Sequence, residues 1–125
     1  MMTKYFYDSY AIIAYIDGDK AYDPYFTAHE GVTSLYNALE VYFIILRKKG
    51  EETAKKVLHL LTPFLVYPTV DDVEPSMKFR LEHSKDKMSY ADCLGYTLAG
   101  KNKIKFLTGD KAFASLPNVE YVHST

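Results

Sequence analysis

The chain has one cysteine, no tryptophan, only 6 glycines and 5 prolines in 125 residues, and no excess of charge of either sign. Each shortage excludes something. A lone thiol, Cys93, can neither close an internal disulfide nor build a cysteine-rich zinc site; it fits a reducing compartment, and the cytoplasm is the expected location. So little glycine and proline, beside 48% hydrophobic and 25% charged residues, excludes collagen-like repeats and disorder. The longest apolar run, Tyr10 to Ile16, is seven residues, far short of the ~20 that span a bilayer. The N-terminus also lacks a basic region followed by an apolar stretch and a small-residue cleavage site, so a soluble, unexported protein with no membrane partner is expected. A formal charge of -1, from 15 Lys and Arg against 16 Asp and Glu, shows no overt basic footprint for nucleic acid. The length is that of one compact domain, so residues 1–125 are expected to fold as a single unit.

What is present is an alternation of short apolar strands with longer helical patterns. Tyr5 to Tyr7 has strand propensity and ends at Asp8-Ser9, and Tyr10 to Ile16 reads as a helix stopped by Asp17-Gly18-Asp19. Asp23-Pro24 suggests a helix start in the weakly patterned segment 20–30. Gly31 to Ser34 is extended, and Ser34 caps a helix from Leu35 to Lys49 whose cationic end and Gly50 form a stop. A helix from Glu51 to Leu61 follows. Phe64 to Val70 has strand character that Pro68 confines to an edge. Asp71 or Asp72 caps a helix to about His83, Ser89 starts another that ends near Gly100, and Ile104 to Leu107 and Val119 to Val122 are the last strands. The order implies a small α/β domain with a mainly parallel sheet flanked by helices.

Four acids stand out because an ionised carboxylate is costly to bury unless it is paired or bound to a metal. Asp8 ends the first strand and Asp110 follows a later one, so in a parallel sheet with right-handed crossovers both emerge at the carboxyl edge, where open α/β folds place ligands. Glu40 is the only charged residue between Leu35 and Leu46, in a helix so apolar that it is expected to be largely buried. Asp92 lies among Tyr90, Ala91, Cys93 and Leu94. Local structure offers an account of each acid singly. Ser89-x-x-Asp92 matches a capping box, Asp8 and Asp110 suit caps or turns, and Glu40 has a route to solvent along a polar stripe with Asn37. Jointly, four acids at element boundaries or inside apolar segments are better read as one site.

Carboxylates without histidine or cysteine ligands form a hard-oxygen site suited to Mg2+ or Mn2+, ions that activate water toward phosphodiesters. The histidines at 29, 59, 83 and 123 lack ligand spacing, no phosphate-binding glycine loop is present, and Cys93 reads as a small core residue. An aspartyl-nucleophile phosphatase is disfavoured by Tyr10, which stands where such enzymes carry a second acid. Lys101, Lys103, Lys105 and Lys111 form one cationic group, and Arg47 to Lys49 with Lys55 and Lys56 another. Such runs are usually solvated faces, but either is able to contact a phosphate backbone.

Four segments in order, Tyr5-Phe6-Tyr7-Asp8-Ser9, Thr33-Ser34 with Ala38-Leu39-Glu40-Val41, Ser89-Tyr90-Ala91-Asp92, and Phe106-Leu107-Thr108-Gly109-Asp110 with Phe113, resemble the PIN domain family, particularly the VapC-type toxin ribonucleases. The resemblance covers essentially the whole chain. It implies a three-layer sandwich with a mainly parallel central sheet, a Mg2+ or Mn2+ site and cleavage of RNA. By position, Asp8, Glu40, Asp92 and Asp110 match the family's acidic site, and Ser9 and Thr108 match polar residues supporting it. It also implies a homodimer neutralised by an antitoxin, and Tyr22, Tyr25 and Phe26 are expected on a dimer or antitoxin surface. The alternative is a catalytically inactive PIN-like module that binds RNA or protein. Setting four of the 16 acids aside as ligands leaves 12 against 15 cations, so the near-neutral total no longer opposes an RNA substrate.

Overall fold

The computed structural model of the chain describes residues 3–123. Strands β1 (Lys4–Tyr7), β2 (Glu30–Ser34), β3 (Leu65–Val66), β4 (Lys105–Thr108) and β5 (Val119–Tyr121) form one sheet in the order β3-β2-β1-β4-β5, with every neighbouring pair parallel. Helices α1 (Ser9–Ile16), α2 (Asp23–Thr27), α3 (Leu35–Lys49), α4 (Glu51–Leu61), α5 (Val73–Glu82) and α6 (Tyr90–Lys101) make the connections. Side chains alternate across the central strand. Tyr5 and Tyr7 pack on one face with Ala11 and Ile12 of α1, Val41 and Ile45 of α3, and Ala54 of α4. Phe6 packs on the other with Phe106, Phe113, Cys93 and Leu98. A sheet covered on both faces needs apolar residues at consecutive strand positions, which Tyr5-Phe6-Tyr7 and Phe106-Leu107 supply. This is the expected three-layer α/β arrangement.

Local chemistry sets most boundaries. The Ser34 hydroxyl accepts the Asn37 amide hydrogen at 3.2 Å and caps α3. Gly50, at φ 94, takes the left-handed conformation that stops α3 and lets α4 begin at once. The extended segment expected over Phe64 to Val70 shrinks to Leu65–Val66, because a 3-10 turn takes Thr62–Phe64 and Pro68 has no amide hydrogen with which to lengthen the edge ladder.

Two expectations are corrected. Tyr22 is fully buried, and its hydroxyl donates to the Val122 carbonyl at 3.0 Å. Tyr25 and Phe26 are half-buried: Tyr25 meets Tyr5 edge-on at 5.3 Å, and Phe26 stacks on both Tyr7 (4.1 Å) and Tyr15 (4.3 Å). Tyr22 thus belongs to the core instead of an association surface, and Tyr25 and Phe26 pack against that core as partly buried rings. Their segment lacks periodicity because it is shaped by rings on β1 and α1, not by its own helix face. Conversely, α3 is not largely buried. It buries Asn37, Ala38, Val41 and Ile45 but exposes Leu35, Tyr36, Leu39, Phe43 and Leu46. Among the described residues no helix is long and apolar enough to cross a membrane.

Candidate active site at the carboxyl ends of the central strands

The two central strands end side by side. Asp8 extends the ladder, its amide donating to the Leu107 carbonyl at 3.0 Å, and Thr108 closes β4. Both are buried, Asp8 to 1% exposure and Thr108 to 0%. The Asp8 carboxyl accepts the Ser9 amide hydrogen at 2.8 Å and the Thr108 hydroxyl at 2.6 Å. Thr108 Oγ1 in turn accepts the Asp110 amide hydrogen at 3.0 Å, tying the β4 turn to Asp8. Gly109 is required between them, since a Cβ there would run into the Tyr22 hydroxyl and the Tyr10 ring.

Asp92 reaches this pair from the first turn of α6. The capping box expected on spacing is formed: the Ser89 hydroxyl accepts the Asp92 amide hydrogen at 3.0 Å, and the Asp92 carboxylate accepts the Ser89 amide hydrogen at 2.9 Å. The structural account of Asp92 is thus correct without being complete, because the same carboxyl also acts on the buried Asp8 through its charge. Two carboxyls brought together out of water disfavour each other's ionisation. Burial, and next the Asp92 charge, push the Asp8 carboxyl well above the usual aspartate range. Asp92 is raised chiefly by burial and also by the charge of Asp110, against the opposing Ser89 hydrogen bonds.

Glu40 is held one step away. Its Oε1 accepts the Ser9 hydroxyl at 2.8 Å, and burial raises its pKa further than hydrogen bonds from Ser9 and Ser89 lower it. Asp110 is half-exposed and turns its Oδ1 to the Ala112 amide hydrogen at 3.0 Å, capping a 3-10 turn. Asp8, Glu40 and Asp92 therefore form one electrostatic cluster, with Ser9 bridging Asp8 and Glu40, and Asp110 flanks it. Among the described residues no three acidic, histidine or cysteine side chains are arranged to hold a metal ion. The donor chemistry still suits a hard divalent cation: the set is all oxygen, and three members are driven toward protonation by burial and mutual repulsion, which a cation would relieve.

Asn37 was not singled out for the site from the sequence. It is fully buried, donates from Nδ2 to Ser9 Oγ at 3.0 Å and accepts the Ser34 hydroxyl on Oδ1 at 2.6 Å, so it orients the serine that holds Glu40. It does not open a polar route to solvent for Glu40. The available signal was its position three residues before Glu40, on the same helix face of an otherwise apolar run. Cys93, adjacent to Asp92, is buried with its thiol pushed up to about 11 by burial and the neighbouring carboxylate, and is inert as a nucleophile.

The fold has solved relatives. A toxin-antitoxin complex from Klebsiella pneumoniae is 20% identical, with 92% of this chain covered and 94% of that one, at a TM-score of 0.73. VapC20 of Mycobacterium tuberculosis, described as a sarcin-ricin loop cleaving toxin, is 19% identical over 94% and 98% of the two chains, at a TM-score of 0.74. VapBC2 of Rickettsia felis, bound to a DNA fragment from its promoter, is 14% identical over 98% and 100%, at 0.73. At such identities the likeness is one of fold. No curated protein matches by sequence. The PIN domain family model, however, matches residues 5–119, from the first aromatic of β1 to the first residue of β5, and the chain belongs to the PIN domain family.

Proposed function

We propose that the chain is a divalent-metal-dependent endoribonuclease and the toxin of a toxin-antitoxin pair. The observation that carries this reading is a fully buried aspartate, Asp8, under the charge of a second carboxyl, Asp92, at the carboxyl edge of a PIN-family sheet. Asp8 caps α1 and Asp92 closes the capping box of α6, but neither cap needs the other carboxyl beside it. Burying one without a cationic partner lowers stability, a cost that functional sites commonly carry.

Asp8 and Asp92 would hold Mg2+ or Mn2+, with Glu40 and Asp110 completing the acidic set. When bound, such an ion lowers the pKa of a water and offsets charge on a phosphodiester. Thr108, the Ser9 amide and Ser89 fix the two aspartates before substrate arrives, and Asn37 fixes Ser9. Glu40, held beside Asp8 by the Ser9 hydroxyl, is the carboxylate placed to take a proton from an attacking water. The test is Mn2+-dependent cleavage of single-stranded RNA by the purified protein. Asp8→Asn and Asp92→Asn are expected to abolish it, and undiminished cleavage by either variant overturns the reading.

The reading includes an RNA substrate, a cognate antitoxin, a cytoplasmic location and a homodimer. Tyr36, Leu39 and Phe43 share one exposed face of α3, and self-association would cover them. Leu39→Glu is expected to yield monomers in light scattering where the unaltered chain yields dimers; a monomeric unaltered chain counts against this part.

One observation favours the alternative of an inactive RNA-binding or protein-interaction module: Glu40 and Asp110 are each engaged by local donors, and no three ligands converge among the described residues. Calorimetry showing no Mg2+ or Mn2+ binding, with RNA association intact, would decide for it.

A further inference from the structure

A groove of about 720 Å³ opens between α1 and the second half of α3. One end is Ser9, whose hydroxyl holds Glu40; the other is Arg47 and Lys48, with Tyr10, Ile13 and Ile44 between. The acids on its far wall are engaged: Asp17 is ion-paired with Lys49 at 3.3 Å, and Asp19 caps a 3-10 turn through the Ala21 amide hydrogen at 3.1 Å. Arg47 and Lys48 make no ion pair among the described residues, and the Arg47 guanidinium rests over the Phe43 ring at 5.5 Å. Cations in a last helical turn complement the helix dipole, which accounts for their presence at the end of α3. It does not account for two unpaired cations on the wall of a groove that begins at Ser9, the serine bonded to Glu40.

We propose that this groove carries the single-stranded RNA away from the acidic site, with Arg47 and Lys48 contacting backbone phosphates and the exposed Tyr10 offering a face for a base. The inference rests on the ribonuclease reading. Seven residues of helix separate Glu40 from Arg47, a rise of about 10 Å, or about three stacked nucleotides at roughly 3.4 Å each. The cations therefore meet phosphates about three nucleotides from the scissile bond. Stacking on a tyrosine is tolerant of sequence, so the groove contributes affinity and register more than base choice. An anionic strand suits the site better than an apolar peptide because unpaired cations, not exposed aliphatic side chains, mark its outer end.

The experiment measures binding separately from cleavage. A fluorescently labelled single-stranded RNA 12-mer is titrated with Asp8→Asn protein, with and without the added pair Arg47→Ala and Lys48→Ala, across a series of salt concentrations. The pair is expected to weaken binding about tenfold and to lower the slope of log affinity on log salt by roughly 1.4, about 0.7 for each phosphate of a single strand that is no longer neutralised. Lys55→Ala with Lys56→Ala, on exposed cations of α4, is the control. In the cleaving protein, the Arg47/Lys48 pair is expected to raise KM with little change in kcat. That effect is expected to vanish on substrates trimmed to fewer than about three nucleotides on one side of the cut.

An equal loss from the α4 pair, or no change in affinity and slope, overturns the lane. So does RNA binding unchanged by the pair when association with a protein partner is lost, since the groove then belongs to that partner. If the unaltered chain cleaves no RNA, the ribonuclease reading fails, while the affinity and slope still decide whether the groove binds a strand.

Discussion

Two buried aspartates at helix starts behave in opposite ways. Asp72, 5% exposed, sits before α5 with its carboxylate turned back to the Thr69 amide hydrogen at 2.7 Å and to Lys101 Nζ at 3.0 Å. The Thr69 hydrogen bond leads in holding its pKa below the usual range, and Lys101 adds to it. Asp8, 1% exposed, also accepts two good hydrogen bonds, but its remaining neighbour is another carboxyl, and burial drives its pKa up. Burial of an acid is therefore no signal of function by itself. What separates the two is the charge of the third partner: a lysine makes Asp72 a fastening between the start of α5 and the end of α6, whereas a second aspartate makes Asp8 a group that works against the fold.

The contrast breaks most readily on activity. Asp8→Asn is expected to cut RNA cleavage per folded molecule about a hundredfold or more, equivalent to about 2.7 kcal/mol, while Asp72→Asn leaves it within about twofold; comparable losses from both would erase the distinction. On stability the order reverses. Asp72→Ala removes the capping-box acceptor and strands Lys101, so urea unfolding should show a loss of about 2 kcal/mol. Asp8→Asn, with chelator present, should instead gain about 1 kcal/mol, because a neutral amide removes a buried charge from beside Asp92. A lower melting temperature for that variant would show that Asp8 is as structural as Asp72.

Acid sharpens the same comparison through opposite slopes. The folded-state pKa of Asp8 is raised, so the native state binds its proton more tightly than the unfolded chain. Its contribution is therefore greatest below the ordinary aspartate value of about 4 and is lost as pH rises through the folded value. Asp72 is lowered, so its contribution is present above about 4 and lost as pH falls through the folded value. In metal-free thermal scans, the wild type should gain on Asp8→Asn as pH drops from 7 toward 4. The deficit of Asp72→Asn should narrow below 4. Parallel curves would refute both assignments. The smallest effect is that of Lys101→Met, about 0.5 kcal/mol, since the lysine side chain is 57% exposed; a loss as large as that of Asp72→Ala would move the fastening from the capping box to the ion pair.

Legibility in the sequence followed the range of the interactions. Asp8 was readable because a strand ending in a polar turn is a local pattern, and so was the Ser89-x-x-Asp92 box, whereas Ser9 and Thr108 entered the site only through resemblance to the PIN family. Asn37 escaped because its role depends on α3 lying beside α1, which joins it to Ser9, 28 positions away. Asp72 was readable as a helix start but not as the partner of Lys101, 29 positions on. The apolar run of α3 announced burial without saying where, and four of its residues supply the buried face while five large ones remain exposed.

By itself, then, the order of residues determined the alternation of strands and helices, the caps and stops, and the identity of the acids, because turn chemistry and side-chain periodicity act within a few residues. Only the tertiary structure decided that Asp8 faces Asp92 while Asp72 faces Lys101, and that the Tyr22 segment is core while α3 is exposed. Those outcomes rest on charges and rings brought together from distant parts of the chain, and desolvation at that meeting sets what each carboxyl does.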